Sequence, residues 1–209
     1  MRRQRSTDDP AFAGTMTMTW TFTEGDGGTY VTVESTEIPG VWLIRPEVHS
    51  DERGRFLETY RSSWLPFATP MVQGNRSDSK ANVLRGLHYH RRQADLWFVQ
   101  QGKVTTVLVD TRIGSPTEGK HTTLQQGGGE DLAIYIPEGV AHGFYAHDDV
   151  IMTYLVTGEY DGSDELGIAW NDPDLGISWP DEEPILSERD QKNARLADVA
   201  ADRRVPYTG

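Results

Sequence analysis

Short runs of β-forming residues, cut apart at close intervals by glycine- and proline-bearing turns, most narrowly constrain how this chain can fold. The runs cover residues 83–87, 96–100, 104–109, 132–136, 151–156 and 167–170. Between them stand turn signals such as Gly114-Ser115-Pro116 and Gln126-Gly127-Gly128-Gly129. Many short strands at such spacing predict an all-β sandwich or barrel. Plentiful Gly, Pro and aromatic residues favour such a strand-and-turn protein over a helical bundle, and there is no internal repeat or sustained heptad. One short C-terminal helix is expected over residues 190–201. At 209 residues the chain is one domain with tails. Residues 1–33 read as an extension in which 15–22 alternate well enough to form an edge or exchanged strand. Residues 34–196 read as the compact barrel, and 197–209 as a tail.

Composition removes several function classes. There is no cysteine, hence no disulfide framework, thiolate metal site or cysteine nucleophile. No apolar run approaches the ~18 residues that a membrane span needs. The opening Met1-Arg2-Arg3-Gln4-Arg5 leads into a polar stretch and not an apolar one, so a cytoplasmic protein is expected. The net charge of −12 argues against a nucleic-acid partner, whose affinity rests on a positive surface. A small anionic ligand needs only a local arginine and is not excluded.

The chemistry concentrates in one segment, Val83-Leu84-Arg85-Gly86-Leu87-His88-Tyr89-His90-Arg91-Arg92-Gln93-Ala94-Asp95. On a strand, His88 and His90 share a face. Two imidazoles beside a guanidinium suit proton transfer on an anionic substrate or metal binding. Taken alone, the segment is equally an exposed polar strand with solvated histidines. The turn Pro137-Glu138-Gly139-Val140-Ala141-His142-Gly143-Phe144 brings a third histidine to a neighbouring strand. Three histidines on the inward face of a barrel point to a site, because small barrels hold ligands in the mouth or interior.

From about residue 34 to 196 the chain resembles the dTDP-4-dehydrorhamnose 3,5-epimerase family of the cupin superfamily. The resemblance rests on ordered blocks. They include Asp51-Glu52-Arg53-Gly54-Arg55-Phe56-Leu57-Glu58, Gln73-Gly74-Asn75-Arg76-Ser77, Arg85-Gly86-Leu87-His88, Val109-Asp110-Thr111-Arg112, Ala169-Trp170-Asn171-Asp172 and Ile185-Leu186-Ser187-Glu188-Arg189-Asp190. It implies a cupin-type jelly-roll barrel, a homodimer, no metal or nucleotide cofactor, and a dTDP-linked 4-keto-6-deoxy sugar as substrate. The implied reaction removes a proton beside the keto group and returns one from the other face. By this resemblance His88 is the base, Asp190 its orienting partner and Tyr154 the proton donor. Arg85 binds the diphosphate or the sugar end of it. Arg53, Glu58, Gln73, Asn75, His90, His142, Tyr160 and Glu165 line the nucleotide–sugar pocket. Other readings of single residues stay open: an Arg53–Glu58 ion pair, a helix cap at Asp190, or a core tyrosine at Tyr154.

Two positions depart from the family pattern. His90 stands where the family has Gln, and Asp95 where it has a lysine that holds the reacting sugar oxygen. A carboxylate for a cation reverses the local field. His88, His90, Asp95 and His142 also resemble the two motifs of metal-binding cupins, with Asp for the usual Glu; such a set suits Fe, Mn, Ni or Zn. The paired histidines resemble those of nucleotide-sugar 3,4-ketoisomerases as well. The expectation is an epimerase site without metal, in which a protonated His90 supplies the missing positive charge.

Overall fold

In the computed structural model, which describes residues 19–22 and 31–209, the chain is nearly all β. The strands, in chain order, are β1 (Thr19–Phe22), β2 (Val31–Ser35), β3 (Trp42–Pro46), β4 (Val48–Asp51), β5 (Gly54–Leu57), β6 (Gln73–Ser79) and β7 (Leu84–Tyr89). They continue with β8 (Asp95–Gln101), β9 (Lys103–Asp110), β10 (His121–Gly127), β11 (Ala133–Ile136), β12 (Val140–Ala146), β13 (Val150–Val156) and β14 (Leu166–Gly167). One sheet has the order β1-β2-β3-β11-β8-β13-β6 and the other β10-β9-β12-β7-β14. A separate hairpin, β4-β5, carries Arg53. Neighbours pair antiparallel throughout, as in β8 with β13 and β7 with β12.

The two sheets enclose the main core. Trp97, Val99, Ile134 and Met152 from one meet Val104, Leu108, Val140 and Phe144 from the other. Each such buried side chain contributes roughly 1.5–3 kcal/mol. Both sheets are also covered outside. Leu96 and Phe98 face a second cluster with Val31, Val33, Ile44 and Trp64, so β8 is apolar on both faces and reads as a continuous run. On the other sheet Leu87, Val107, Val109 and Ala141 pack against Ile168, Leu175 and Leu196 of the C-terminal segment. That packing draws the segment across the outside of β7 and delivers Asp190 to the site.

The helix expected over 190–201 is instead three separate 3₁₀ turns, Asp190–Lys192, Leu196–Asp198 and Ala201–Arg203. The backbone groups that a helix would pair internally are taken elsewhere. The Ala169 N–H donates to the Ala194 carbonyl at 2.8 Å, and the Leu196 N–H to Asp172 Oδ2 at 2.8 Å. Tertiary partners thus override a modest local propensity. The strand expected over 167–170 is reduced to β14 for a similar reason: the Ile168 N–H bonds to the Leu87 carbonyl and the chain turns away. Of the strand expected over 15–22, β1 covers the last four residues and pairs with β2, and the rest lies outside the described residues. Val31 and Val33 of β2 are buried in the second cluster, so β2 spans the expected boundary at residue 34.

Candidate active site

Strict alternation along β7 would put Arg85 and His88 on opposite faces. They nevertheless line the same cavity, which measures about 320 Å³. The cause is a bulge. His142 pairs with His88 and Phe144 with Arg85, so β12 advances two residues where β7 advances three. The extra residue inverts the parity of everything before it. Gly86 makes this possible. Its φ is +120°, and a Cβ there would lie 2.6 Å from Gly143 Cα and 2.7 Å from the His142 carbonyl oxygen. His88 and His90, two apart, share the cavity face as the sequence predicts.

Behind His88 stands Asp190, 3% exposed. Its Oδ1 lies 2.6 Å from His88 Nε2, and its Oδ2 accepts the Gly86 N–H at 3.3 Å. Burial pushes the Asp190 carboxyl up, but the hydrogen bonds from His88, Gly86 and Ser187 outweigh it and hold the group below its ordinary range. Asp190 is therefore an anion, and an anion accepts the Nε2–H of a neutral imidazole. That leaves His88 Nδ1 as the basic nitrogen.

Tyr154, on β13, lines the same cavity from the opposite sheet. Burial, then the charges of Asp95 and Glu165, push its phenol up, with Arg85 opposing. Tyr154 keeps its proton and is fitted to donate. Arg85 is the one Arg or Lys among the described residues lining the cavity. Its guanidinium is braced by the Ser79 hydroxyl at 2.8 Å and the Asp78 carbonyl. At the mouth, Gln73 accepts the Tyr160 N–H at 3.0 Å and donates to Asn75 at 2.9 Å, while Glu165 pairs with Arg189 at 2.6 Å.

Deeper in the wall lie His90, Asp95 and His142, all buried. His90 Nδ1 is 2.9 Å from the Asp164 carbonyl, and His142 Nδ1 is 3.0 Å from the Val140 carbonyl. Burial drives the His142 imidazole down to about 4; the charge of Asp95 opposes this and the neighbouring His90 and His88 add to it. Asp164 is tied to this region twice. Its carbonyl holds His90, and its carboxylate accepts the N–H groups of Arg91 and Arg92.

The sequence places ten of its candidates here: Gln73, Asn75, Arg85, His88, His90, Asp95, His142, Tyr154, Tyr160 and Glu165 all line the cavity. Asp190 reaches it through His88. Arg53 and Glu58 are not brought to it. Arg53 is on the β4-β5 hairpin with its side chain 86% exposed and bound to Asp51, and Glu58 pairs with Arg61. They do not pair with each other. The four-residue metal set is not assembled either, because His88 turns its Nε2 to Asp190; His90, Asp95 and His142 alone cluster. Sequence reasoning missed Gln93 and Trp97, which both donate to Asp95, at 2.9 and 3.2 Å. Their spacing of two residues either side of Asp95 was the available signal.

With the geometry in view, the comparisons with known proteins agree. The sequence profile of the dTDP-4-dehydrorhamnose 3,5-epimerase family matches residues 35–198. An enzyme of that name from Methanothermobacter thermautotrophicus is 40% identical over 165 residues, covering 75% of this chain and 89% of its own. A dTDP-4-dehydrorhamnose 3-epimerase from Streptomyces niveus is 38% identical over 170 residues, 78% of this chain and 82% of its own. Among solved structures, a 3,5-epimerase from Legionella pneumophila, crystallised with dTDP-4-keto-L-rhamnose, superposes with a TM-score of 0.81 at 34% identity. It covers 86% of this chain and 100% of its own.

Proposed function

The chain belongs to the dTDP-4-dehydrorhamnose 3,5-epimerase family, and from that premise we propose that it epimerises C3, C5 or both in a dTDP-linked 4-keto-6-deoxy sugar during deoxysugar biosynthesis. The observation that carries this reading is the His88–Asp190 pair at 2.6 Å, facing a cavity walled on the other side by Tyr154. His88 Nδ1 takes the proton from the carbon beside the keto group. The electron pair moves onto the keto oxygen as an enolate, while Asp190 stabilises the imidazolium that forms. Tyr154 returns a proton to the opposite face. Arg85 takes a phosphate oxygen of the diphosphate, and Gln73, Asn75, His90, His142, Tyr160 and Glu165 shape the remainder. The chemistry moves only protons and needs no redox cofactor.

The two packed sheets are read here as a cupin-type jelly roll, with residues 34–196 as the barrel unit, 1–33 an extension and 197–209 a tail. The same reading makes the protein a cytoplasmic homodimer. The β4-β5 hairpin supports a second copy: Phe56 is 66% exposed on it, and Arg53 projects from it away from the cavity that His88 and Tyr154 line. A partner seated on that hairpin would bring Arg53 and Glu58 to a site. Light scattering at micromolar concentration should show the dimer, and a stable monomer refutes it.

The test of the reaction is solvent-deuterium incorporation into dTDP-4-keto-6-deoxyglucose, followed by NMR. Wild type should label C3, C5 or both, and the labelled carbons settle which are epimerised. His88→Ala should abolish labelling and leave nucleotide-sugar binding in place. Full labelling by that variant refutes the assignment of the base, and binding without labelling by wild type makes the protein a carrier rather than an enzyme.

A further inference from the structure

We propose that the deep wall of the cavity, formed by His90, Asp95 and His142, binds an ammonium group on the substrate, and that the preferred substrate is a dTDP-linked 4-keto sugar with an amine at C3. This names a substrate class for the epimerase reading and rests on it. Asp95 is 2% exposed, and both its oxygens accept hydrogen bonds, one from the Gln93 amide and one from the Trp97 indole. Both donors are neutral. Among the described residues no Lys or Arg pairs with Asp95, and its one ion-pair contact is His142 Nε2 at 3.8 Å. His142 is a poor counter-ion. Its Nδ1–H is committed to the Val140 carbonyl, 3.8 Å is too long for a hydrogen bond, and burial disfavours the charged ring. A buried carboxylate without a cation is costly, and this one lines a cavity that a ligand can enter.

The two imidazoles complete an acceptor set. Each has its Nδ1 against a backbone carbonyl, so Nδ1 carries the proton and Nε2 the lone pair. Among the described residues neither Nε2 has a hydrogen-bond partner. The three side chains therefore offer two lone pairs and a carboxylate, and no free donor. A hydroxyl would give this wall one proton and leave the carboxylate's charge unmet. An ammonium gives three N–H groups and the charge together. Contacts of about 2.9 Å in tetrahedral directions set the acceptors of an ammonium roughly 4.7 Å apart. One nitrogen or oxygen from each of the three residues lies within 4.8 Å of the other two, with His142 and Asp95 at 3.8 Å.

The carbon follows from the substrate's own chemistry. In a 4-keto-6-deoxy sugar the keto carbon lies between C3 and C5, and C5 carries a methyl group and the ring oxygen. A cation beside the reacting carbons is therefore on C3. There it also faces the enolate oxygen that forms when His88 removes a proton, so the substrate brings the positive charge expected of a protonated His90. Arg85, the one Arg or Lys among the described residues lining the cavity, is left for the diphosphate.

Two ligands without a keto group test the wall by titration calorimetry at neutral pH: dTDP-3-amino-3,6-dideoxyglucose and dTDP-6-deoxyglucose. Wild type should bind the amine at least about 10-fold tighter, the low end of coupling between close charges across an interface. Asp95→Asn keeps the shape and should bring the two within about twofold. With ¹⁵N in the ligand amine, NMR of the wild-type complex should show the amine holding its proton to a pH at least about one unit above that of the free ligand. That measurement decides the matter even where the variant fails to fold. Equal binding by wild type, a preference that survives Asp95→Asn, or a bound amine that loses its proton no later than the free one overturns the proposal. The deuterium assay keeps the two readings apart. A preference for the amine with no labelling of either 4-keto sugar keeps the ammonium site and removes the epimerase. Labelling of dTDP-4-keto-6-deoxyglucose by protein that binds the two ligands equally does the reverse.

Discussion

Asp190→Asn isolates what the buried carboxylate does. The asparagine oxygen can still accept the Gly86 N–H, now at 3.3 Å, so the backbone at the bulge keeps its support. The amide nitrogen, however, would face His88 Nε2, where a carboxylate oxygen stands at 2.6 Å. An amide donates there, Nε2 must accept, and the imidazole proton moves to Nδ1, the nitrogen that has to be the base. The variant also removes the counter-charge of the imidazolium. Opposite charges about 4 Å apart attract by about 4 kcal/mol at an effective dielectric of about 20. At 1.36 kcal/mol per tenfold this is a loss of about 10³ in rate, within the ~10²–10⁴ range of general-base catalysis. Labelling of dTDP-4-keto-6-deoxyglucose in D₂O should slow by that factor with KM little changed. The melting temperature should move by no more than about 2–4 °C, the span of roughly 1 kcal/mol in a chain of this size. A fall of less than tenfold in a folded variant, or one confined to KM, refutes the role given to the pair.

Further outcomes follow from the same geometry. Tyr154→Phe should still let His88 remove a proton but slow its replacement from the other face, so proton loss outpaces inversion by NMR; equal slowing of both overturns its place as donor. Gly86→Ala must relieve a 2.6 Å approach to Gly143 at φ +120°; a loss of at least about 1–3 kcal/mol in urea unfolding is expected. Asp110, fully buried, takes two 2.8 Å bonds from Arg112 and one each from Ser115 and Thr117. Asp110→Ala strands the guanidinium and should cost about 3–5 kcal/mol. Because the folded Asp190 carboxyl sits below its ordinary 3.8, its stabilisation is present above that pH and is lost as pH falls through the lower folded value. Urea unfolding across the acid range should show wild type losing this contribution below about pH 4, and Asp190→Asn should lack that loss.

Much of this was legible in the chain because β-periodicity and turn chemistry are local. His88 and His90 share a face by the two-residue repeat alone, and the turn before His142 marks its strand. Arg85 is placed only through the family pattern, since parity points it the wrong way and the bulge depends on the approach of Gly86 to Gly143, 57 residues beyond Gly86. The C-terminal segment reads as helix in the sequence because its hydrogen-bond partners, the buried Ala169 and Asp172, come from a distant part of the chain. Of the four residues that the spacing groups together, only His90, Asp95 and His142 cluster. Spacing shows which residues face a cavity, but the competition of Asp190 for His88 is a contact 102 residues apart.

Asp164 gives the site an internal linkage. The 160–165 segment supplies Tyr160 and Glu165 to the cavity mouth, and the same segment, through the Asp164 carbonyl, sets the angle of the His90 ring. The residues that edge the opening and the ring behind it are thus held by one short stretch of backbone, anchored at a buried aspartate whose carboxylate takes the N–H groups of Arg91 and Arg92.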